Sequence, residues 1–309
     1  MSQVIRLGLV GLGKIARDQH LPAIAAHPDL ELVAVASRNA CAEGLPYFAD
    51  LEAMLREGPA IDAVILCQPP QARYAAARTA LLAGKHVFLE KPPGATVTEV
   101  EALIALAKAQ GVSLFASWHS RYAAGVAAAK AWLAANPPRH IQINWKEDVR
   151  HWHPGQTWIW QAGGFGVFDP GINALSILTE IVDEPVRLVR AHLTTPSNCQ
   201  APIAATLAMQ TASDQPIDAE FDFRQTGPQS WDIIVQSDAR RLVLGHGGNV
   251  LTIDGVAQTC DSEAEYPLMY AHFAQLVRAG QSDVDLAPLR LVADAFLCGE
   301  PYSTEAFHD

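Results

Sequence analysis

Cysteine is scarce in this chain, and its positions form no pattern. The five cysteines are odd in number and widely spaced: Cys41, Cys67, Cys199, Cys260 and Cys298. Disulfide frameworks and zinc sites use cysteines at short, regular spacings, and no such spacing is present. We therefore expect reduced thiols in a cytoplasmic protein, and no metal site.

Long hydrophobic runs and basic clusters are also missing. No apolar run approaches the roughly 20 residues that a membrane-spanning helix needs. The apolar stretch at 4–10 contains Arg6 and leads into a glycine turn, so we expect no signal peptide. The net charge of -11 argues against nucleic acid and anionic membranes as partners. Small molecules and further copies of the chain are the expected partners.

The chain does contain a first part in which strands and helices alternate. Segments rich in Val, Ile, Leu and Phe predict strands at 4–10, 31–37, 61–67, 86–90 and 113–118. Helical patterns lie between them at 14–27, 71–84 and 97–110, the last opened by a capping box at Thr96 and Glu99. This order predicts a doubly wound α/β domain with a parallel sheet.

The second part has a different pattern. After a helix at about 122–136, strand-like segments follow at 141–147, 186–194, 203–211, 217–224, 231–237, 241–245 and 249–254. Helical patterns interrupt or follow them at about 171–182, 266–279 and 288–298. Consecutive strands favour a large, mostly antiparallel open sheet. We expect two domains, an α/β domain at 1–121 and an α+β domain at 122–309.

A glycine-rich turn points to the function of the first domain. Gly11-x-Gly13-x-x-Ala16 follows the first strand and opens the first helix, as in the dinucleotide-binding fingerprint. Gly11 permits the tight turn, and Gly13 lets a pyrophosphate approach the positive end of the helix. The pattern predicts a Rossmann domain that binds NAD or NADP. The residues expected near the cofactor are Gly11, Gly13, Lys14, Ile15, Ser37, Arg38, Cys67, Pro69, Glu90 and Lys91.

The second predicted strand ends in Ser37 and Arg38, without the acid that usually binds the ribose of NAD. A guanidinium binds phosphate through two parallel hydrogen bonds, and a hydroxyl adds a donor. We therefore expect NADP to be the preferred cofactor and NAD to be accepted. The alternative is that both are ordinary loop residues.

The segment Val87-Phe88-Leu89-Glu90-Lys91-Pro92-Pro93 ends a predicted strand in a lysine between an acid and two prolines. Proline fixes φ and cannot extend a sheet ladder, so the turn after Lys91 is stiff. Such a turn positions one ammonium group at the edge of the sheet. The alternative is a solvated strand end.

Four motifs in this order resemble the glucose–fructose oxidoreductase / inositol dehydrogenase (Gfo/Idh/MocA) family: Gly11-x-Gly13, Asp62-Ala63-Val64, Gly84-Lys85-His86-Val87 and Glu90-Lys91-Pro92. The resemblance covers essentially the whole chain and includes the stretches 13–22, 145–150, 153–156 and 168–174. It implies that the C1 hydroxyl of an aldopyranose such as L-arabinose, D-galactose or D-fucose is oxidised to the lactone. It also implies that Lys91 is the family's lysine and that Pro92 follows a cis peptide.

The chain departs from the family in the second domain. The family pattern places an acid–base histidine after Asp-x-Gly, whereas Asp169-Pro170-Gly171-Ile172 is followed by Asn173. Asparagine cannot act as a base, but it can hold a sugar hydroxyl. We expect Asp169 to accept the proton, Lys91 to orient and stabilise charge, and Asn173 to bind a hydroxyl. The alternatives are Lys91 as the base, or Asp169 as a helix N-cap only.

Tryptophans crowd the segment 145–160, together with acids, histidines and amides. Indole faces stack on the apolar face of a pyranose, and polar groups bind its hydroxyls. The residues expected to contact the substrate are Lys91, His119, Glu147, Trp152, His153, Asp169, Asn173 and Trp231. The alternatives are a core role for some tryptophans, a surface position for Glu147 and a capping or hinge role for His119.

Two other functions stay open. One is a non-catalytic sensor of sugar and NADP, and the other is an inositol-type dehydrogenase, which Asn173 disfavours.

The long antiparallel sheet offers one uncovered face, and self-association is a usual way to bury such a face. We therefore expect a homodimer.

Overall fold

The computed structural model describes residues 4–38, 40–260 and 264–308. Its strands are β1 Ile5–Val10, β2 Leu30–Ala36, β3 Tyr47–Phe48, β4 Ala63–Leu66, β5 His86–Glu90, β6 Leu114–Ser117, β7 His140–Lys146, β8 Val186–Pro196, β9 Ala204–Thr211, β10 Pro216–Asp222, β11 Ser230–Gln236, β12 Arg241–Gly245, β13 Val250–Ile253, β14 Val256–Ala257 and β15 Glu300–Thr304. Its helices are α1 Leu21–Ala26, α2 Leu51–Glu57, α3 Pro70–Leu82, α4 Val97–Gln110, α5 Val126–Ala135, α6 Val149–Trp152, α7 Phe168–Ile181, α8 Glu265–Ala279 and α9 Ala287–Cys298. Within these described ranges, no helix is long and apolar enough to cross a membrane.

The first compact unit contains a six-stranded parallel sheet in the order β3-β2-β1-β4-β5-β6. The chain runs outward from β1 to β3 and returns beside β1 as β4, which makes a topological switch point between β1 and β4. Ligands of such sheets bind outside the carboxyl ends of the strands at this point. The predicted doubly wound fold is confirmed, and so is the capping box of Thr96 and Glu99.

The helix after β1 is not regular. Residues 14–26 are helical, as the pattern predicts, but Ala16–His20 forms a π-helical turn in front of α1. A π turn inserts one residue into the helical hydrogen-bond ladder and often lies at a functional site. Its last residue, His20, is fully buried.

Helix α8 belongs to the first unit, which comprises Met1–His119 and Tyr266–Leu286. The expected division at residue 121 assigned this later segment to the second domain. Tyr270 stacks on Phe88 at 5.1 Å between ring centroids, and Phe273 contacts Phe88 edge-on at 5.4 Å. The apolar face of α8 is thus buried against β5, far from it in sequence.

The second unit comprises Ser120–Glu265 and Ala287–Asp309 and contains a nine-stranded sheet. The strand order is β14-β13-β12-β11-β7-β10-β9-β8-β15. Only the pairs β7–β10 and β8–β15 are parallel among its described strands, so the prediction of a mostly antiparallel sheet is confirmed. One face carries buried residues such as Ile143, Trp145 and Phe221, and α7 packs against it.

Several short elements were not predicted: β3, α2, α6, β14 and β15. Helix α2 had a readable signal, because the side chain of Asp50 accepts a hydrogen bond from the Ala53 backbone N–H at its N-terminus. Strand β15 is almost entirely exposed and contains Pro301, so it has neither the alternation nor the composition that indicates a strand.

Candidate active site

The glycine turn after β1 has the shape that a dinucleotide requires. Gly11 has a φ of +94°, and a Cβ there would lie 3.0 Å from the backbone of both Cys67 and Gln68. A Cβ built on Gly13 would instead meet nothing within 4 Å. Gly11 is therefore fixed by the protein's own backbone, whereas the space beside Gly13 is open to a ligand.

A buried polar atom next to this turn supports the same conclusion. Gln68 Oε1 is buried and has no hydrogen-bond partner in the described part of the chain, although buried polar atoms are normally satisfied. Lys14 pairs with Asp18 and the Ile15 side chain is 40% exposed, both at the start of the helix. An open cradle, an unsatisfied amide and an exposed apolar side chain fit a nicotinamide dinucleotide.

The end of β2 is held by a strand that the sequence did not predict. Ser37 N–H donates to Phe48 O of β3 at 3.0 Å, and the Tyr47 hydroxyl donates to Ser37 O. Arg38 follows as an exposed residue. Ser37 and Arg38 thus lie directly after a strand end whose backbone is fixed by hydrogen bonds.

Strand β4 leads to two more of the expected cofactor residues. Cys67 is half-buried directly after β4, and its N–H donates to Val10 O at 2.9 Å. Pro69 is the N-cap of α3. Both lie at the carboxyl end of a strand beside β1, where the fold favours ligand binding.

A side chain of α3 binds the backbone carbonyl groups of the turn after β5. The peptide between Lys91 and Pro92 is cis, as the resemblance implied. The guanidinium of Arg73, which is only 2% exposed, donates to the carbonyls of Gln68, Glu90 and Pro92. A single buried cation therefore holds the backbone on both sides of Lys91.

Glu90 is buried beneath this turn. Its carboxylate accepts hydrogen bonds from the Tyr266 hydroxyl at 2.6 Å and from the Lys91 backbone N–H, and it lies 3.4 Å from His20 Nε2. Burial disfavours its charged form, but the hydrogen bond and charge of His20 lower the pKa of Glu90 to about 2. Burial also disfavours the imidazolium of His20, but contacts with Cys67 and Glu90 raise the pKa of His20 to about 10.

His119 follows β6 and is partly buried. Its ring stacks on Tyr266 with 5.5 Å between the centroids. His119 therefore lies just after the carboxyl end of a parallel strand, as the sequence indicated. Its ring contacts helix α8.

In the second unit, three predicted residues come together. His153 Nε2 lies 3.5 Å from Glu147 Oε1 and 3.7 Å from Asp169 Oδ2. Both acids are buried, so the suggestion of a surface position for Glu147 is wrong. Buried carboxylates are costly unless donors or cations face them, and one imidazole here faces both.

Two tryptophans flank this cluster. Trp231 Nε1 donates to Glu147 Oε2 at 2.8 Å, and Trp152 contacts Trp231 edge-on at 5.5 Å. Trp152 is 40% exposed, whereas Trp145 is buried and fills the core, as expected for at least one of the group. An exposed indole next to buried acids is a suitable surface for a sugar ring.

Helix α7 carries Asp169 and Asn173 one turn apart. The N-cap of this helix is Val167, so the alternative of Asp169 as the N-cap is wrong. Asp169 instead lies buried in the first turn, where the helix dipole favours a negative charge. Asn173 is partly buried, and its carbonyl accepts a hydrogen bond from the Ser176 hydroxyl at 2.7 Å.

Sequence reasoning assigned no role to four residues around the lysine turn: Arg73, His20, Tyr266 and Tyr270. His20 and Tyr270 are 250 residues apart along the chain, and a local motif does not record a partner at that distance. In the described ranges, no group of three or more His, Cys, Asp or Glu residues has the arrangement that could hold a metal ion.

Comparisons with known proteins agree with this geometry. A family model described as "Oxidoreductase family, NAD-binding Rossmann fold" matches residues 5–117. Galactose 1-dehydrogenase of Pseudomonas fluorescens is 49% identical over 307 residues, which cover 99% of this chain and 100% of that protein.

Solved structures extend the similarity to three dimensions. The crystal structure of D-galactose-1-dehydrogenase from Rhizobium etli matches with a TM-score of 0.95 and 57% identity, over 100% of this chain and 99% of that one. A 3-ketoreductase from Actinomadura kijaniata, solved with NADP and TDP-benzene, matches with a TM-score of 0.86 over 98% and 100% of the two chains. At 20% identity, this last match shows a shared fold alone.

Proposed function

The chain belongs to the Gfo/Idh/MocA oxidoreductase family, and from this premise we propose that it is an NAD(P)-dependent aldose 1-dehydrogenase. The observation that carries the proposal is the buried group of Glu147, His153 and Asp169 beside the exposed Trp152. Acids and an imidazole bind the hydroxyls of a sugar, and an indole covers its apolar face. The galactose 1-dehydrogenases similar to the whole chain support the same substrate class.

Oxidation at C1 removes a hydride from carbon and a proton from O1. The bound nicotinamide supplies the hydride acceptor. We propose that Asp169 accepts the O1 proton while Lys91 orients O1 and stabilises the charge that develops on it. Lys91 as the proton acceptor is the alternative. His153 faces the Asp169 carboxylate at 3.7 Å, and Asn173 holds a further hydroxyl.

The proposed substrates are D-galactose, L-arabinose and D-fucose, each in its pyranose form. They share the hydroxyl arrangement from C2 to C4 and differ at the C5 substituent. A difference of one apolar group is worth only about 1–3 kcal/mol of discrimination, so cross-reactivity is expected. The product would be the aldonolactone, the first product of a non-phosphorylative sugar oxidation.

The direct test follows absorbance at 340 nm with NADP and NAD against a panel of aldoses and inositols. The proposal expects reduced cofactor with galactose and arabinose, and kcat/KM within about 10–200-fold of each other. Tight binding of sugar and NADP without turnover would contradict it in favour of a sensor. Turnover of inositols alone would make the chain an inositol-type dehydrogenase.

Arg38→Ala tests the proposed preference for NADP. The guanidinium would pair with the 2′-phosphate, so its loss should raise the KM for NADP about tenfold or more and leave the KM for NAD unchanged. The control is Arg56→Ala, because Arg56 is an exposed arginine of α2 that pairs with Glu57. An unchanged ratio of the two KM values in Arg38→Ala would contradict the preference.

Substitutions of the three proposed catalytic residues should separate their roles. We expect Lys91→Ala and Asp169→Ala each to lower kcat by at least about 100-fold, since a positioned proton acceptor contributes about 10²–10⁴. Asn173→Ala should act chiefly on the KM for the sugar. A kcat loss in Asn173→Ala as large as in Asp169→Ala would contradict this assignment.

We also propose that the protein is cytoplasmic, since all five cysteines are free and free thiols are typical of reducing compartments. We propose that it forms a homodimer through its nine-stranded sheet.

A further inference from the structure

The Glu90 carboxylate in the first unit is a buried charge whose hydrogen-bond partners are all protein groups of the same unit. Glu90 is 3% exposed and is the last residue of β5, directly before Lys91. A carboxylate transferred out of water is costly unless hydrogen bonds and a nearby cation compensate the loss of hydration. The partners of Glu90 therefore indicate what this charge does.

These partners come from distant parts of the chain. Oε1 accepts the Tyr266 hydroxyl of α8 at 2.6 Å and lies 3.4 Å from His20 Nε2 of the π turn. The other oxygen, Oε2, accepts the backbone N–H of Lys91. The carboxylate thus links α8 and the first helix to the peptide group of the lysine turn.

His20 is itself held in one orientation. Its Nδ1 lies 2.7 Å from the Tyr270 hydroxyl, one helical turn beyond Tyr266 on α8. Its ring meets the rings of Phe88, Tyr266 and Tyr270 edge-on, with centroids 5.6, 5.0 and 5.8 Å away. Packing on several sides and a hydrogen bond at Nδ1 leave the ring little freedom to turn away from Glu90.

The same turn is held from its other side by Arg73, which binds the carbonyls of Glu90 and Pro92. Those bonds fix carbonyl groups, and the Glu90 carboxylate fixes the remaining N–H of Lys91. An ammonium group on a long flexible side chain has a defined position only if the backbone that carries it is fixed.

We propose that Tyr266, His20 and Tyr270 are positioning residues for Lys91: they hold the Glu90 carboxylate so that it binds the Lys91 backbone N–H and fixes the lysine turn. The catalytic consequence rests on the proposed function, in which Lys91 acts on the sugar. Helix α8 follows most of the second unit in sequence but belongs to the first unit. Through Tyr266 it thus helps to fix the lysine turn.

Two single substitutions on α8 separate positioning from docking. Tyr266→Phe keeps the ring and removes only the hydroxyl that donates to Glu90. Phe273→Leu is the control, because Phe273 packs on Phe88 and Phe115 and its side chain carries no hydrogen-bonding group. The two variants are compared by Tm and by the hydrogen-exchange rate of the Lys91 backbone amide. Their kcat and KM values are measured with ordinary galactose and with galactose deuterated at C1, which gives the isotope effect on kcat.

We expect Tyr266→Phe to speed exchange of the Lys91 amide about tenfold and to lower kcat about tenfold, since hydrogen bonds to charged groups are worth that factor or more. The KM for NADP should stay within about twofold, and the deuterium isotope effect on kcat should rise. Phe273→Leu should lower Tm while the Lys91 exchange rate and kcat stay near those of the wild type. Tyr270→Phe should show the same changes as Tyr266→Phe, but smaller, because it acts through His20.

The proposal is overturned if Tyr266→Phe changes Lys91 exchange or kcat no more than Phe273→Leu does. A wild type that oxidises no aldose would refute the proposed function instead. The exchange rate of the Lys91 amide needs no substrate, so it would still decide whether Tyr266 and Glu90 hold this turn.

Discussion

At the scale of single residues, Gly11 and Gly13 show how one turn separates folding from binding. Gly11 has a positive φ, and a Cβ there would meet backbone atoms of the chain after β4, whereas a Cβ on Gly13 would meet open space. The first glycine is required by the protein's own structure. The second is required only if a ligand approaches the turn.

Substitution of each glycine by alanine tests this difference. Gly13→Ala should change the free energy of unfolding by no more than about 0.5 kcal/mol but raise the KM for NADP about tenfold or more, because the methyl group fills the phosphate cradle. Gly11→Ala should cost about 1–2 kcal/mol in stability, because its φ is positive. Thermal unfolding and cofactor titration of both variants measure this. Unchanged cofactor affinity in Gly13→Ala would show that the phosphates bind elsewhere.

At the scale of elements, α7 positions the acid of the second unit. A Cβ built on Gly171 would lie 3.2 Å from the ring of Phe221 on β10. The glycine of the Asp169-Pro170-Gly171 motif therefore lets the first turn of α7 approach the sheet closely. This close approach sets the position of Asp169, two residues earlier, relative to His153.

Gly171→Val should push this turn away from Phe221. Overpacking of this kind costs about 1–3 kcal/mol, and kcat should fall with it because Asp169 moves from His153. Ile172→Val is a control on the same helix: it loses about 0.5–1.5 kcal/mol by removing a methylene group and leaves Phe221 undisturbed. If both variants keep the kcat of the wild type, the position of α7 does not limit catalysis.

At the scale of the whole molecule, the nine-stranded sheet has two unlike faces. The face opposite α7 carries Asn144, Glu220 and Thr206 in register across β7, β10 and β9. Lys146 and Glu220 form an ion pair there at 2.8 Å. Ala208 lies on the same face and is partly buried, so a wide polar surface with small residues is available for a second copy.

The proposed homodimer predicts a mass of twice the 33.3 kDa of one chain in sedimentation equilibrium. Ala208→Arg should convert it to the monomer, because an arginine would insert a charge into a flat interface. Ala102→Arg, at an exposed position of α4, should leave the mass unchanged. A wild-type monomer, or a dimer that survives Ala208→Arg, would contradict this interface.

Much of this architecture was predictable because it depends on local order. The alternation of strand, glycine turn and helix identifies the Rossmann domain, and Lys91 between Glu90 and Pro92 marks a stiff strand end. The resemblance carried by these motifs correctly implied the cis peptide before Pro92. Strands β1, β5 and β12 were predicted to within a residue, since each is bounded by clear turn signals.

The sequence by itself determined which groups are available: a nucleotide turn, a lysine at a strand end, and a second half rich in acids, histidines and tryptophans. Only the tertiary structure decided which of them meet. It brought His153 to both Glu147 and Asp169, gave α8 to the first unit and joined Tyr266 to Glu90 across 176 residues. The physical reason is that local patterns report the period of burial along one element. A buried charge is compensated by whatever donor the fold brings beside it, and no local pattern records that partner.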